Sequence, residues 1–334
     1  GLVVGASMYN KLLVAILLLA LAGALALVGP RRLIWSKWVL AAAALGLAVG
    51  SPNLVYQATH DWPQLSMGAA LADENGSEVR ILMWPFLLLI LGPPLVPVWV
   101  AGLVSLYRRP EWAPVRFVAV AFPILLVLVF VMASQLYYPF GLLAVLFAAG
   151  CAALESRMAG RDRTWLVALV ALNASVSMVL GLPLIPVSQL GETPVGDINQ
   201  IARDTVGWPT YVAQIAAVYA RLPPPDRSVA VIVTSNYGEA GAIDRFGEEY
   251  SLPAVYSGHN QLYFQARPPE SANVVVFVGE QIKHADGRFE VCSVKERLDN
   301  GVGVDSEEQG LPIAVCRNPV GGWRIAWPAL QHYD

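Results

Sequence analysis

The sequence predicts a polytopic α-helical membrane bundle of about six spans over residues 1–182, followed by a small extracytoplasmic α/β domain over residues 183–334. Three observations lead there. Of 334 residues, 56% are hydrophobic and only 14% charged, against about 25% charged in an ordinary soluble domain. The charge is divided: residues 1–182 hold 11 Lys and Arg against 7 Asp and Glu, net +4, whereas residues 183–334 hold 11 against 18, net −7. Finally, apolar windows long enough to cross a bilayer recur through the first half and end at Pro183. There is neither a basic tract nor a nucleic-acid motif, so binding to nucleic acid is not expected.

Residues 12–28 are free of charge, and with residues 1–10 they read as one span in which Lys11 is the only ionisable side chain. At 1.5 Å per helical residue Lys11 would lie about 15 Å deep, too far for easy snorkelling, so a functional reading stands beside the snorkelling one. Residues 34–50 form the second span. The third, residues 81–107, contains Gly92, Pro93, Pro94 and Pro97 and should be kinked or split. Residues 117–154 carry no charge but would be about 57 Å long as one helix, nearly twice a hydrocarbon core, so they must be two spans. Their break belongs at Ser134-Gln135-Leu136-Tyr137-Tyr138-Pro139, and residues 164–182 supply the last span.

Loop charges orient these spans, because cytoplasmic loops collect Lys and Arg. Arg31, Arg32 and Lys37 fall in the first loop, Arg108, Arg109 and Arg116 in the third, and Arg157, Arg161 and Arg163 in the fifth, while the second and fourth have almost none. Gly1 and the whole 183–334 domain are therefore expected on the extracytoplasmic side. The opening Gly1-Leu2-Val3-Val4 lies in an apolar run without an initiator methionine or a signal peptide, as expected for the C-terminal part of a longer protein.

Beyond Pro183 the periodicity changes. Residues 210–222 have helical spacing and stop at Pro223-Pro224-Pro225; residues 228–234 and 272–279 read as buried strands, 238–250 as a helix and 312–316 as a short strand. This alternation predicts a small sheet with parallel strands. Cys292 and Cys316 either pair as a disulfide or remain two thiols, Cys151 reads as a packing residue in a span, and no Cys or His spacing makes a zinc site.

Several motifs carry candidate chemistry. Residues 51–63 read as an outer loop with His60 and Asp61 beside a belt tryptophan, Trp62, followed by a stretch over 64–72 that could lie along the surface. Tyr137 and Tyr138 stand at the outer end of a hairpin with almost no loop. In the outer domain, Asn236 to Gly241 reads as a tight strand-to-helix turn or as backbone that holds an anion, and His259 with Asn260 as a satisfied loop or a ligand site.

Taken together, Gly1-x-x-x-Gly5 with Tyr9-Asn10-Lys11, the 51–63 loop, and Tyr137-Tyr138-Pro139 resemble glycosyltransferase family 39, the GT-C enzymes similar to protein mannosyltransferases and the lipid A aminoarabinose transferase. Val206-Gly207-Trp208-Pro209, Asn236-Tyr237-Gly238-Glu239-Ala240-Gly241-Ala242, Tyr256-Ser257-Gly258-His259-Asn260 and residues 303–310 are similar to a bacterial branch of that family. The resemblance implies a multi-pass enzyme of the bacterial plasma membrane, with the bilayer and a polyprenyl-phosphate-linked sugar as partners and an extracytoplasmic acceptor it does not specify. It implies an inverting displacement, metal-assisted or metal-independent, so a divalent metal stays open and no other cofactor is implied. The acidic base would lie upstream of Gly1, which leaves no catalytic residue in this chain. Tyr138, with Tyr137 beside it, matches the family's donor-phosphate contact, and Lys11 is the cation that could join them. Gln135 stands where the family often has a basic residue. His60 and Asp61 would face the outer-loop substrate cavity, and Asn236, Glu239, His259 and Asn260 the acceptor. A transporter or flippase, suggested by the broken 81–107 segment, and a membrane-anchored binding protein are the competing classes.

Overall fold

A computed structural model of the chain describes residues 1–155 and 158–333; Arg157 of the fifth loop lies outside them. The chain divides into two compact units, Gly1–Ser177 and Met178–Asp334, a boundary five residues before the one read from composition.

The first unit is helical: α1 (Leu2–Asn10), α2 (Leu13–Val28), α3 (Lys37–Thr59), α4 (Pro63–Leu89), α5 (Val96–Arg108), α6 (Arg116–Val131), α7 (Phe140–Glu155) and α8 (Arg161–Gly181), whose last turn belongs to the second unit. Among the described residues, Lys37–Thr59, Pro110–Val131 and Asp162–Gly181 are each long and apolar enough to cross a membrane, and α4 with α5 make a fourth such segment bent by 72°. Helices α2 and α7 are apolar but have 16 residues each.

Three expectations are corrected here. Residues 1–28 are not one span: the backbone of Lys11 is extended, at φ −151° and ψ 144°, and separates α1 from α2. Helix α1 lies parallel to α3, with Gly1 against Ala42, Gly5 against Gly46 and Val49, and Met8 against Gly50. Lys11 therefore lies at the end of the bundle where α3 finishes, and Gly1 points toward the opposite end. The expected outer loop 51–63 is helical through Thr59, and only His60, Asp61 and Trp62 turn, the last two with left-handed φ of 58° and 55°. The stretch over 64–72 is the first part of α4 rather than a separate surface segment.

The break in the third segment follows Ile90. Gly92 has φ +89°, and an added Cβ there would fall 1.6 Å from Asn173 Oδ1, so only glycine fits. Asn173 Nδ2 of α8 donates to the carbonyl of Leu91 at 3.0 Å, which satisfies backbone freed by the break. Ala20, Ala24, Met83, Trp99, Phe122, Leu125, Leu143 and Leu146 bury together between α2, α4, α5, α6 and α7. Cys151 is exposed on α7 and is not a packing residue.

The second unit begins with three short helices, α9 (Val187–Leu190), α10 (Pro194–Ile198) and α11 (Gln200–Asp204), then α12 (Trp208–Ala220) and α13 (Pro224–Arg227). A five-stranded sheet follows, built from β1 (Ala230–Thr234), β2 (Val255–Ser257), β3 (Val274–Val278), β4 (Phe289–Arg297) and β5 (Pro312–Pro319), with α14 (Tyr237–Phe246) between β1 and β2. Its order is β2-β1-β3-β5-β4. The expected parallel pairing is found for β2, β1 and β3, but the sheet is mixed, since β5 runs antiparallel to both β3 and β4.

Strands β1 and β3 are buried on both faces, which is why they read as unbroken apolar runs. Ile232, Val276 and Ile313 pack under α12 and α14 on one face. Val233, Phe277, Trp323 and Trp327 pack on the other. Cys292 and Cys316 are register partners on β4 and β5, 4.1 Å apart at Cα, and form a disulfide.

Candidate functional site

In the first unit three breaks in the helices meet at one end. The sequence stops α1 at Lys11, and the exposed peptide groups find amide partners. Leu12 N donates to Gln64 Oε1 at 3.1 Å, Gln64 N donates to Gln57 Oε1 at 3.1 Å, and Asn53 Nδ2 donates to the carbonyl of Met8. Gln57 is 3% exposed, so this amide chain is part of the packing. The result is a fixed turn that carries the Lys11 ammonium.

Lys11 Nζ donates to the hydroxyl oxygen of Tyr137 at 3.3 Å and lies 5.9 Å from the centre of that ring. Of the two tyrosines grouped with Lys11 as the donor-phosphate contact, Tyr137 is the one that accepts this hydrogen bond. Tyr138 packs edge-on to Tyr137, 5.3 Å between ring centres, and turns toward the apolar core. Tyr137 is 45% exposed, so an ammonium and a phenol face the same surface. Both are hydrogen-bond donors, and together they suit an anion. Arg80 of α4 donates through Nε to the carbonyl of Phe130 at 3.1 Å, in the last turn of α6, and braces the approach to the Tyr137–Tyr138 connection.

His60 and Asp61 belong to the α3–α4 turn. His60 stacks on Tyr56 at 4.0 Å, and its Nδ1 lies 2.9 Å from the carbonyl of Tyr56 and 3.0 Å from Thr59 Oγ1. These contacts lie within its own helix end. Asp61 is exposed. Asn53, Gln57, Gln64 and Arg80 were missed as a group, although amides recurring in an apolar stretch were the available signal.

In the second unit the candidates gather at the carboxyl ends of β1, β2 and β3, the switch point where the strand order reverses from β1. Asn236 caps α14: its Oδ1 accepts from Glu239 N at 2.8 Å, and Glu239 Oε2 accepts from Asn236 N at 3.2 Å and Ser235 N at 2.6 Å. Gly279 permits this, since an added Cβ would meet Glu239 Oε1 at 2.3 Å. Of the two readings of this turn, the packed one describes it: the chain's own carboxylate fills the space an anion would need.

Asn236 Nδ2 donates to Glu308 Oε1 at 2.8 Å. Glu239 and Glu308 are both 3% exposed, and Glu239 Oε1 and Glu308 Oε2 are buried without a hydrogen-bond donor. Burial, and then the adjoining Glu308 charge, push the Glu239 carboxyl well above the usual range.

His259 is 2% exposed and sandwiched between Tyr237 and His332, with ring centres 5.0 and 5.2 Å away. Its Nδ1 accepts from Tyr237 N at 3.0 Å, while Nε2 is 2.5 Å from the Asn260 amide. His332 lies with Nε2 2.6 Å from the Ser235 carbonyl and Nδ1 2.8 Å from the Leu330 carbonyl. Glu239 and His259 are therefore packed side chains and offer no surface to an acceptor. Tyr237, 66% exposed at the top of the stack, is the accessible member, and His332 escaped the sequence reading because no spacing ties it to residue 259.

Among the described residues no three His, Cys, Asp or Glu side chains converge as a metal site. A groove of about 670 Å³ runs beside α12, lined by Ala213, Ala217, Tyr219 and Tyr250, away from these candidates. No protein-family model, no curated protein and no solved structure matches the chain.

Proposed function

We propose that the chain belongs to a multi-pass membrane glycosyltransferase of the family 39 type, which takes a sugar from a polyprenyl-phosphate donor and passes it to an acceptor outside the cytoplasm. In that reading the acceptor oxygen attacks the anomeric carbon, the bond to the phosphate oxygen breaks, and the lipid phosphate leaves with the electron pair. Lys11 and Tyr137 stabilise the negative charge it gains. Tyr138 orients Tyr137. The resemblance assigns the base to an acidic residue not among those of this chain, and a divalent metal stays open.

The observation that carries the reading is the 3.3 Å contact of Lys11 with Tyr137, which joins two donors 126 residues apart at a helix break. The arginines in alternate loops and the Cys292–Cys316 disulfide support an oxidising, extracytoplasmic side for the second unit. The six-span arrangement counts α2 and α7, at about 24 Å each, as short spans.

Donor titrations on the purified product of the complete reading frame test the assignment. Tyr137→Phe removes one charge-assisted hydrogen bond, about 1.5–3 kcal/mol or roughly ten- to a hundredfold in donor use, and Lys11→Met costs at least as much. Wild-type donor dependence in both folded variants would sink the site. Transport is the other reading, favoured by the 72° bend between α4 and α5. It predicts uptake or flipping of a substrate by the same purified protein without any transfer product.

A further inference from the structure

The end of α8 runs into a small, closed cap. Asn199 Nδ2, at the junction of α10 and α11, donates to the carbonyl of Leu180 at 2.7 Å, which ties that junction to the last turn of the helix. Leu190, Val195, Val206 and Val304 bury together inside the cap, with Leu180, Ile185 and Val302 packed against them. The inner apolar face of the segment is thereby used up. Other apolar side chains of the segment remain bare: Leu184 is 56%, Val187 52%, Ile198 64% and Ile201 79% exposed.

We propose that these bare side chains form a lipid-binding shelf that lies in the interface of the bilayer beside the end of α8. The inference rests on the membrane reading above. Helix Asp162–Gly181 has no buried residue in its apolar window and touches the α4–α5 break through Asn173, so in a bilayer the rest of its circumference meets lipid. Asn199, bonded to the carbonyl at 180, lies between Ile198 and Ile201 in the chain, so this hydrogen bond holds the segment that bears both isoleucines at the last turn of the helix. Interfacial elements bury their apolar face about 5–10 Å into the headgroup and acyl boundary, a depth this position matches. The charges identify the kind of surface. Residues 183–206 carry Arg203 against Glu192, Asp197 and Asp204, net −2, so apolar burial and not attraction to acidic headgroups holds the shelf in place.

The test uses the full chain in phosphatidylcholine vesicles. With Cys151 replaced by Ala and the Cys292–Cys316 disulfide intact, a bimane label is placed on Ile201→Cys and, separately, on Ile198→Cys. We expect at least twofold quenching by lipid with a nitroxide at acyl carbon 5, shielding from aqueous iodide relative to a label on Lys283→Cys, and no change when acidic lipid is added. Iodide quenching equal to that at Lys283 puts the shelf in water and overturns the proposal. Emission quenched by neither agent means that protein covers the shelf, a second copy or another partner, and overturns it too. A label on Val170→Cys separates the two readings. If Val170 is quenched by nitroxide lipid and Ile201 is not, only the shelf fails; if Val170 is not quenched, α8 does not span and both fail.

Discussion

Glu239 stands where the first turn of α14 would otherwise leave backbone N–H groups open to a ligand, and its carboxylate takes them. Burial and Glu308 raise its pKa, and the sign of the consequence follows. The unfolded carboxyl releases its proton near the ordinary value of 4.5, whereas the folded one keeps it to higher pH. Between those values the folded state binds more protons, so its stability is greatest below about 4.5 and falls as pH rises through the folded pKa. Glu239→Gln keeps an acceptor for the Ser235 and Asn236 N–H groups and cannot ionise. We expect it to remove the pH dependence and to be more stable than wild type at pH 8. The urea midpoint of peptides from β1 and β3, followed by hydrogen exchange in the full chain from pH 5 to 8, measures this. Parallel profiles for the two proteins would mean that burial does not raise the Glu239 carboxyl. At this scale the sequence pointed to Glu239 and His259 as polar residues near strand ends; that they are packed could not be read, because Glu308 and His332, which enclose them, lie 69 and 73 positions further on.

Helices of the first unit approach closely through small residues. Gly102 of α5 and Gly150 of α7 face each other so tightly that an added Cβ would fall 1.9 Å from the carbonyl of Leu146 or of Val98. Gly141, also on α7, has nothing within 4 Å. Gly→Ala normally favours a helix by up to about 1 kcal/mol. We therefore expect Gly141→Ala to leave the thermal midpoint in detergent unchanged or slightly raised. Gly150→Ala should destabilise by about 1–3 kcal/mol, as overpacking does. Equal midpoints would show that α5 and α7 do not meet there. Elements with strong periodicity were legible: the helix expected over 210–222 is α12, and the runs at 228–234 and 272–279 contain β1 and β3. Strand β4 was not, because its residues are mostly exposed and its apolar pattern is weak. Strand β2 has three residues, too few for a period.

For the molecule as a whole, the division into an apolar helical unit and a sheet-containing unit makes membrane topology the decisive property. The positive-inside rule, applied to the loop arginines, predicts that residues 183–334 lie outside the cytoplasm. In intact cells, with Cys151 replaced by Ala, an impermeant maleimide should label Lys283→Cys and spare Ala159→Cys. The reverse pattern would invert the bundle and put the disulfide-bearing unit in a reducing compartment.

Composition and period determined the two-unit organisation, the apolar helices and the central strands, since each depends on burial of side chains along one local stretch. Only the tertiary structure decided the rest. Whether residues 1–28 cross once or fold back at Lys11 depends on Gly1, Gly5 and Met8 meeting α3, and on Gln64 accepting a hydrogen bond from Leu12. The partner of Lys11 depends on which of two adjacent tyrosines turns outward. Whether β5 runs with or against β3 depends on a connection that a strand's own apolar pattern does not record, because both directions bury the same side chains.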